Sequence, residues 1–329
     1  MTRGVGSALV ILTSAVAVAA SSGAASAPDT LAFVSSVTNT LTLTSTGLVQ
    51  QPLLRARNVT AFTWSPDGSR IAFVSAGVVH VMNADGSDVR RLRAKPLFGD
   101  FTWAPDGRKL AFSAAAGGDI RILVARIDGG APRVLTSAVP GAVLPSWSPR
   151  GGSIAFTSAN TNFGNIYTVR EDGSGLRKLA SGREASFPSW SPDGRWILFQ
   201  PYICPAGKCG YAISVMRPDG SGMRRLAHVP GTPGGGGLHA AWSPNSRRVA
   251  FLRLRSHGIG YDVLSVGVTD PRVRALADDA RSGSASWSPD GRRIAYTTTL
   301  ATINVMNADG SGNRAFIEDG ALPAWRPRP

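Results

Sequence analysis

Side chains that could perform acid–base or metal chemistry are scarce in this sequence. It contains only four histidines and three glutamates. The Gly-x-Ser-x-Gly pattern of a nucleophile elbow is absent, as are the His-Glu-x-x-His zinc motif and the Gly-x-x-x-x-Gly-Lys-Ser/Thr phosphate loop. The Asn-Ala-Asp-Gly-Ser runs at 83–87 and 307–311 are too short for a calcium loop and predict hairpin turns instead. We therefore predict a protein without catalytic residues, cofactor or metal site.

The two cysteines, Cys204 and Cys209, lie close together in the segment Cys-Pro-Ala-Gly-Lys-Cys. A metal site would need two more ligands nearby, and the adjacent sequence offers none. In an oxidising compartment such a pair forms a local disulfide. We predict a Cys204–Cys209 disulfide in a surface loop, and little stabilisation from it, because the ring that it closes is small.

Any functional site must be positioned by repeated segments, which make up most of the chain. A motif that begins with Trp and has Pro two residues later occurs seven times, at spacings of 39, 44, 43, 52, 45 and 38 residues. Such a period is typical of propeller blades or helical arrays. The seven copies begin at Trp64 (WSPDG), Trp103 (WAPDG), Trp147 (WSPRG), Trp190 (WSPDG), Trp242 (WSPNS), Trp287 (WSPDG) and Trp325 (WRPRP).

Within each repeat, short apolar runs alternate with turn residues. Residues 185–227 read as four strands, ASFPSW, RWILFQ, YAISVM and MRRLAH, with Ser-Pro-Asp-Gly and Arg-Pro-Asp-Gly turns. Helical periodicity is absent. The repeats therefore predict four-stranded antiparallel sheets and a β-propeller rather than a helical array.

The two ends of the chain complement each other. Trp325 supplies a first strand with no later strands after it, whereas residues 30–54 supply later strands without a Trp motif. Joining them completes one blade and closes the ring. We predict an all-β propeller of seven blades, with six as the alternative, whose last blade is formed by N- and C-terminal strands.

Inner strands line the central channel of a propeller, so residues near the start of these strands are candidate binding residues. Asp100, Phe187 and His239 each lie three residues before a repeat tryptophan. We predict that these three side chains line a channel mouth; the alternative is that they only fill the channel or a loop. The Trp motifs themselves are expected to specify the fold.

The repeat of 52 residues is the longest and carries the Cys segment and the tract GTPGGGG at 231–237. Irregular loops on a rigid scaffold are where binding commonly occurs. We predict a binding face of loops at one end of the channel, with residues 201–210 and 229–240 prominent.

The N-terminus has the features of a secretory signal peptide: Arg3, an apolar run at 8–20, and small residues before Pro28. We predict a signal peptide at 1–27 and a propeller at 28–329, exported to the periplasm, the cell envelope or the medium. An uncleaved N-terminal anchor is the alternative. No later apolar run approaches spanning length.

The chain is strongly basic, with a formal net charge of +14 that falls to +13 once Arg3 is removed. An excess of this kind favours anionic partners such as envelope polymers or lipid headgroups. However, the arginines recur at equivalent strand ends, which indicates scattered charge rather than one patch. Nucleic acid is not expected as a partner of an exported protein.

These repeats resemble the WD40-like Pro-Asp repeats of the TolB-type β-propeller family. Trp64 to Gly68, then Ile71-Ala72-Phe73 and residues 81–86, carry the resemblance, as do residues 287–291 with 303–310. The resemblance covers about residues 30–329 and implies the propeller fold. It does not imply one function, because the family is a general scaffold. The family's namesake carries an α/β domain ahead of six blades, whereas only about 30 residues precede the first strand here. The repeats also resemble the propellers of prolyl oligopeptidase-type peptidases, and the sequence leaves no room for their hydrolase domain.

Two functional classes remain. We predict a monomeric, non-catalytic scaffold that binds a protein or an envelope partner through channel-mouth loops. The alternative is a propeller enzyme of the polysaccharide lyase or glycosidase type, which would need clustered carboxylates or a His-rich metal site in its channel.

Overall fold

The computed structural model describes residues 29–45, 50–97, 99–159, 164–180, 185–230, 239–255 and 260–328. The predicted signal peptide and the glycine-rich tract at 231–237 lie outside these residues. The described chain is all-β apart from a single 3₁₀ turn at Pro205–Gly207. Within this part of the chain, no helix has the length and apolar character that crossing a bilayer requires.

The strands form antiparallel sheets in the order of the repeats, and four of the sheets contain four strands each. Sheet 1 combines β1 (Leu31–Val34), β2 (Thr40–Thr44) and β3 (Gln51–Arg57) with β28 (Ala321–Trp325). Sheet 2 contains β4 (Val59–Trp64), β5 (Arg70–Ser75), β6 (Val78–Asn83) and β7 (Arg90–Arg91). Sheet 3 contains β8 (Phe101–Trp103), β9 (Lys109–Ala116), β10 (Asp119–Arg126) and β11 (Arg133–Val134). Sheet 4 contains β12 (Ala142–Trp147), β13 (Ser153–Ser158), β14 (Asn165–Arg170) and β15 (Arg177–Ala180).

The last two sheets are larger. Sheet 5 contains β16 (Ser186–Trp190), β17 (Ile197–Gln200), β18 (Tyr202–Ile203), β19 (Gly210–Met216) and β20 (Arg224–Pro230). Sheet 6 contains β21 (Ala241–Trp242), β22 (Arg248–Leu254), β23 (Tyr261–Gly267), β24 (Val273–Trp287), β25 (Arg293–Thr298), β26 (Ile303–Asn307) and β27 (Arg314–Ile317). Its long strand β24 pairs with β23 up to Ala280 and with β25 from Ala280 onward, so sheet 6 has two halves of four strands that share β24.

The second strand of each unit shows how the sheets stack. In the run Ile71-Ala72-Phe73, the large side chains of Ile71 and Phe73 pack against sheet 1 and the small Ala72 packs against sheet 3. The same large–small–large pattern recurs at Leu110-Ala111-Phe112 and Ile154-Ala155-Phe156. Because large side chains on one sheet meet small ones on the next, the interfaces fill without voids.

The stack closes on itself. Leu31 and Phe33 of sheet 1 share a buried cluster with Ile303 and Ile317 of the second half of sheet 6. Strand β28 pairs with β1 in the register Leu31↔Trp325, so the terminal segments are joined in one sheet, as predicted. The result is a ring in which the buried apolar clusters of the described residues lie between neighbouring sheets or between the two halves of sheet 6.

The two ends of this ring carry different connections between strands, and we name each end by the connections that it carries. The turn end carries the turns between first and second strands, such as residues 65–69, in which Asp67 Oδ1 accepts hydrogen bonds from Ser65 Oγ (2.6 Å) and Ser69 N (3.0 Å). The mouth end carries the loops between second and third strands and the segments that lead into each inner strand. A side chain at Gly68, where φ is +67°, would approach Pro327 O to 2.6 Å, so this turn requires glycine.

Candidate functional site

The repeat tryptophans place the inner strands side by side around the ring. The indole N–H of Trp103 donates to Thr63 O (3.4 Å) in the preceding inner strand, and that of Trp242 donates to Ser189 O (3.1 Å). Trp64 Nε1 donates to Ala324 O (3.2 Å), which makes the same bond across the closure. Trp287 makes the same bond, and in these four cases the accepting residue directly precedes the neighbouring tryptophan. The indole nitrogens of Trp147 and Trp190 have no partner among the described residues, but the backbone N–H groups of these two residues donate to Thr102 Oγ1 and Ser146 Oγ on the preceding inner strand. Equivalent positions therefore lie side by side on adjacent inner strands.

The three predicted site residues therefore lie along one arc of the ring, at one position of the repeat. Asp100 precedes β8, Phe187 lies in β16, and His239 precedes β21. Between Asp100 and Phe187, strand β12 contributes Leu144 at the same position. Leu144 N donates to Asp100 Oδ2 (2.8 Å), which joins sheets 3 and 4 directly.

Asp100 is fully buried, with no exposed surface. Its Oδ2 also accepts from Ser113 Oγ, whereas Oδ1 has no hydrogen-bond partner among the described residues. Burial raises the pKa of this carboxyl to about 6, against the opposing effect of the bonds from Ser113 and Leu144. A ligand at the surface would not contact Asp100 directly, so its role in any site would be to position Leu144.

Phe187 and His239 have backbone conformations that their side chains disfavour. Their φ angles are +55° and +42°, and Leu144 (+57°) and Leu322 (+60°) at the same position are similar. In β12 and β16 the register shifts around this residue, as in a β-bulge. Bulky residues at positive φ cost about 1–3 kcal/mol each, and bulges redirect side chains beside functional sites. Leu144 and Leu322 were not among the predicted site residues, although they share the position three residues before a repeat tryptophan.

His239 is partly buried and is a neutral group at physiological pH. Burial lowers the pKa of its imidazole to about 4. Within the described chain, no group of three or more His, Cys, Asp or Glu side chains is placed to hold a metal ion.

The Cys segment forms a short hairpin at the mouth end of sheet 5. A disulfide joins Cys204 to Cys209, as predicted. Strand β18 pairs with β19 in the register Tyr202↔Tyr211, and the two tyrosine rings make an edge contact with centroids 5.3 Å apart. The hairpin is therefore held by strand pairing and aromatic packing as well as by the disulfide.

Replacing both cysteines with serine is expected to lower the unfolding temperature by only a few degrees. The ring contains few residues, so its removal frees little chain entropy, and the Tyr202–Tyr211 contact remains. Differential scanning calorimetry of the oxidised protein and the double variant tests this. A loss of more than about 10 °C, equivalent to several kcal/mol, would mean that the disulfide holds sheet 5 together.

The mouth end also carries the most exposed large apolar side chains. Val37, in the loop between β1 and β2, is 79% exposed, and Leu300, in the turn between β25 and β26, is 84% exposed. These loops belong to neighbouring units, because Gly320 N, which leads into β28 of sheet 1, donates to Ala301 O (2.9 Å). Exposed apolar side chains at one end of a scaffold are typical of a protein-binding surface.

Comparison with known proteins places these features in a family. The family model described as "TolB beta propeller domain", PD40, matches residues 55–232. Tol-Pal system protein TolB of Anaeromyxobacter dehalogenans strain 2CP-C is 38% identical over 94 residues, which is 27% of this chain and 21% of the relative. TolB of Gluconobacter oxydans is 31% identical over 114 residues, covering 33% and 23%. The chain thus spans about a fifth of the length of these relatives.

Solved structures show the same fold at lower identity. TolB from Acinetobacter baumannii superposes with a TM-score of 0.56 at 22% identity, covering 76% of this chain and 63% of that one. An oligogalacturonate lyase in complex with manganese gives a TM-score of 0.65 at 15% identity, covering 88% and 83%. The family match extends over more than half of the chain and includes four of the seven Trp-x-Pro motifs, those at Trp64, Trp103, Trp147 and Trp190. The chain belongs to the PD40 family of TolB β-propeller domains.

Proposed function

We propose that this protein is an exported, non-catalytic scaffold, a seven-bladed propeller that binds a protein partner of the cell envelope through its mouth end. The observation that carries the proposal is the arc of equivalent residues on adjacent inner strands, at which Leu144, Phe187 and His239 keep unfavourable positive φ angles. Fold specification alone does not require such strain, because glycine would adopt the same conformation without it.

The count of seven blades rests on the interfaces. Across the described residues, buried apolar clusters lie between sheets 1 and 2, 2 and 3, 3 and 4, 4 and 5, and 5 and 6, between the halves of sheet 6, and between sheets 6 and 1. Each half of sheet 6 has four strands and its own inner-strand tryptophan, Trp242 or Trp287. Counting each half as a blade gives seven.

A protein partner is supported by the chemistry of the mouth end and by the relatives. Val37 and Leu300 expose apolar surface there, and the Cys204–Cys209 hairpin extends sheet 5 at the same end. The similar proteins are named for the Tol-Pal system. Export rests on the signal-like features of residues 1–27.

Changing Val37 and Leu300 to serine together is expected to abolish most partner binding without loss of stability. Both side chains are almost fully exposed, so the folded state loses little packing, whereas an interface loses two apolar contacts of about 1–2 kcal/mol each. The measurement is recovery of envelope proteins on immobilised protein lacking residues 1–27, followed by the affinity of any protein recovered.

The matched control is Met223→Ser, which removes a 52% exposed apolar side chain at the turn end of sheet 5. Phe187→Gly provides an independent variant, since it relieves the positive φ while removing the side chain. A partner whose affinity responds to Met223→Ser, but not to the Val37/Leu300 or Phe187 changes, would refute a binding surface at the mouth end.

The lyase-like enzyme is the second candidate, favoured by the TM-score of 0.65 with oligogalacturonate lyase. At 15% identity that likeness extends to the fold alone. An assay of the protein with oligogalacturonate, with and without added Mn²⁺, separates the candidates: depolymerisation that His239→Ala abolishes would favour the enzyme.

A further inference from the structure

Arginines that lie far apart in the sequence come together at one end of the ring. Four of them directly follow a turn between first and second strands, and all four are exposed. Each donates its backbone N–H to the side-chain oxygen of the turn Asp or Asn two residues earlier, at distances of 2.9–3.1 Å. We call them the turn arginines: Arg108, Arg195, Arg247 and Arg292.

The turns that carry these arginines touch one another around the ring. Arg326 Nε donates to Gly68 O (2.8 Å), and Arg150 Nη2 donates to Asp193 O (2.8 Å) in the next turn. Asp193 N in turn donates to Ser246 Oγ (3.0 Å). Equivalent repeat positions therefore form one continuous surface at the turn end.

Charge on this surface is only partly neutralised. The turn carboxylates bond groups of their own turns: Asp193 and Asp290 accept from the hydroxyls Ser191 Oγ and Ser288 Oγ (both 2.6 Å) and from the backbone N–H groups of Arg195 and Arg292. Among the described residues, no acid lies within ion-pair distance of Arg108, Arg247 or Arg292, and Arg195 has only a 4.0 Å contact to Asp193. The surface is therefore positive toward solvent.

The mouth end differs, because several of its arginines are paired there. Arg121 lies 3.4 Å from Asp119, and Arg253 and Arg255 lie 2.6 and 3.7 Å from Asp262. These mouth-end arginines are neutralised by their partners, whereas Arg108, Arg247 and Arg292 at the turn end have no acid within ion-pair distance among the described residues.

A cleft of about 330 Å³ between sheets 2 and 3 extends the positive surface. Its basic side chains are Arg70, Arg90, Arg108 and Arg126, and its acidic ones are Asp88 and Asp128. Arg90 pairs with Asp88 and Arg126 with Asp128, which leaves Arg70 and Arg108 for an anion. Guanidinium groups bind phosphate oxygens in paired hydrogen bonds.

Both termini of the described chain also lie at the turn end. Asp29 forms ion pairs with Arg293 and with Arg328, the latter at 2.9 Å. Only residues 21–28 separate Asp29 from the apolar run at 8–20. Eight residues span at most about 30 Å, so an apolar run that stays attached as an uncleaved anchor, the alternative to a cleaved signal peptide, holds the turn arginines close to the bilayer.

We propose that the turn end docks onto an anionic phospholipid bilayer, with the turn arginines and the Arg70–Arg108 cleft binding headgroup phosphates. This orientation points the mouth end away from the membrane. The proposal does not depend on the function proposed for the mouth end. In the anchored form of the chain, the position of the N-terminal apolar run favours a lipid surface over a soluble polyanion.

The test uses protein lacking residues 1–27, because every described contact of the ring lies within residues 29–328. Co-sedimentation is measured with vesicles of phosphatidylcholine alone and of phosphatidylcholine with phosphatidylglycerol. We expect binding only to the phosphatidylglycerol vesicles, and loss of that binding in about 0.5 M salt. Changing the four turn arginines to glutamine should weaken binding at least about tenfold.

The matched control removes four exposed positive charges from strands that lead to the mouth end: Arg57, Arg93, Lys95 and Arg281, each changed to glutamine. This control should bind as the parent does. Equal loss in both variants, or absence of binding to phosphatidylglycerol vesicles, overturns the proposal. So does tighter binding to soluble polygalacturonate than to the vesicles, since the surface would then be a polymer site.

Discussion

Deletion of residues 320–329 is expected to lower the unfolding temperature by at least about 10 °C. The deletion removes β28, and with it Trp325, which is 4% exposed, and the acceptor for Trp64 Nε1 at Ala324. It also uncovers Leu31 and Phe33. Loss of one buried tryptophan costs about 3–5 kcal/mol, and exposing Leu31 and Phe33 costs about 1.5–3 kcal/mol each. Each kcal/mol moves the Tm of a chain this long by roughly 1.5 °C.

The control for this truncation is deletion of residues 327–329. That change keeps β28 and the Arg326–Gly68 bond, and removes only the Arg328–Asp29 ion pair of the terminal segment, whose arginine is half-exposed. Thermal unfolding followed by circular dichroism compares the two. If both truncations unfold at the temperature of the full chain, β28 does not close the ring.

Replacing Asp100 with asparagine is expected to remove a pH dependence of stability between about pH 4 and 7. The folded pKa of about 6 lies above the unfolded value of 3.8. Asp100 therefore contributes stability that is fully present below the unfolded pKa and is lost as the pH rises through 6. Two pKa units correspond to about 3 kcal/mol, so relative to the variant the wild type should lose several degrees of Tm over this range.

A control of opposite sign is available at the turn end. Hydrogen bonds from Ser311 lower the pKa of Asp309, so its contribution is present at neutral pH and is lost on acidification. The Tm difference between wild type and Asp309→Asn should therefore shrink as the pH falls, whereas the difference for Asp100→Asn should move in favour of the wild type. A wild-type-like pH profile for Asp100→Asn would show that the buried carboxyl is not the titrating group.

The architecture could be predicted because the residues of each repeat specify their own turns and strands. Ser-Pro-Asp-Gly specifies a turn whose Asp bonds the next backbone amide, and Ile-Ala-Phe specifies a strand buried on both faces. Closure could be predicted from the complementary ends of the chain. The shared strand β24 could not, because nothing in its sequence marks where one half of sheet 6 ends and the next begins.

The candidate site was predictable only in part. Asp100, Phe187 and His239 follow from their shared position three residues before a repeat tryptophan, whereas Leu144 and Leu322 at the same position are of a residue type that is common in core packing. The burial of Asp100 depends on contacts with another repeat, which no local pattern encodes. Likewise, the sequence indicates scattered charge, because the arginines are about 40 residues apart. Only the ring shows that their positions are adjacent.

The pairing of β28 with β1 also determines when the protein can fold. The residues that complete the first sheet are synthesised long after β1, because Leu31 pairs with Trp325; until they appear, β1 presents an unpaired strand edge to its surroundings. Contacts between such distant segments form late, after the cost of closing a very long loop has been met. A nascent chain of this kind depends on protection from aggregation until β28 has been made, and the ring can close only after that point.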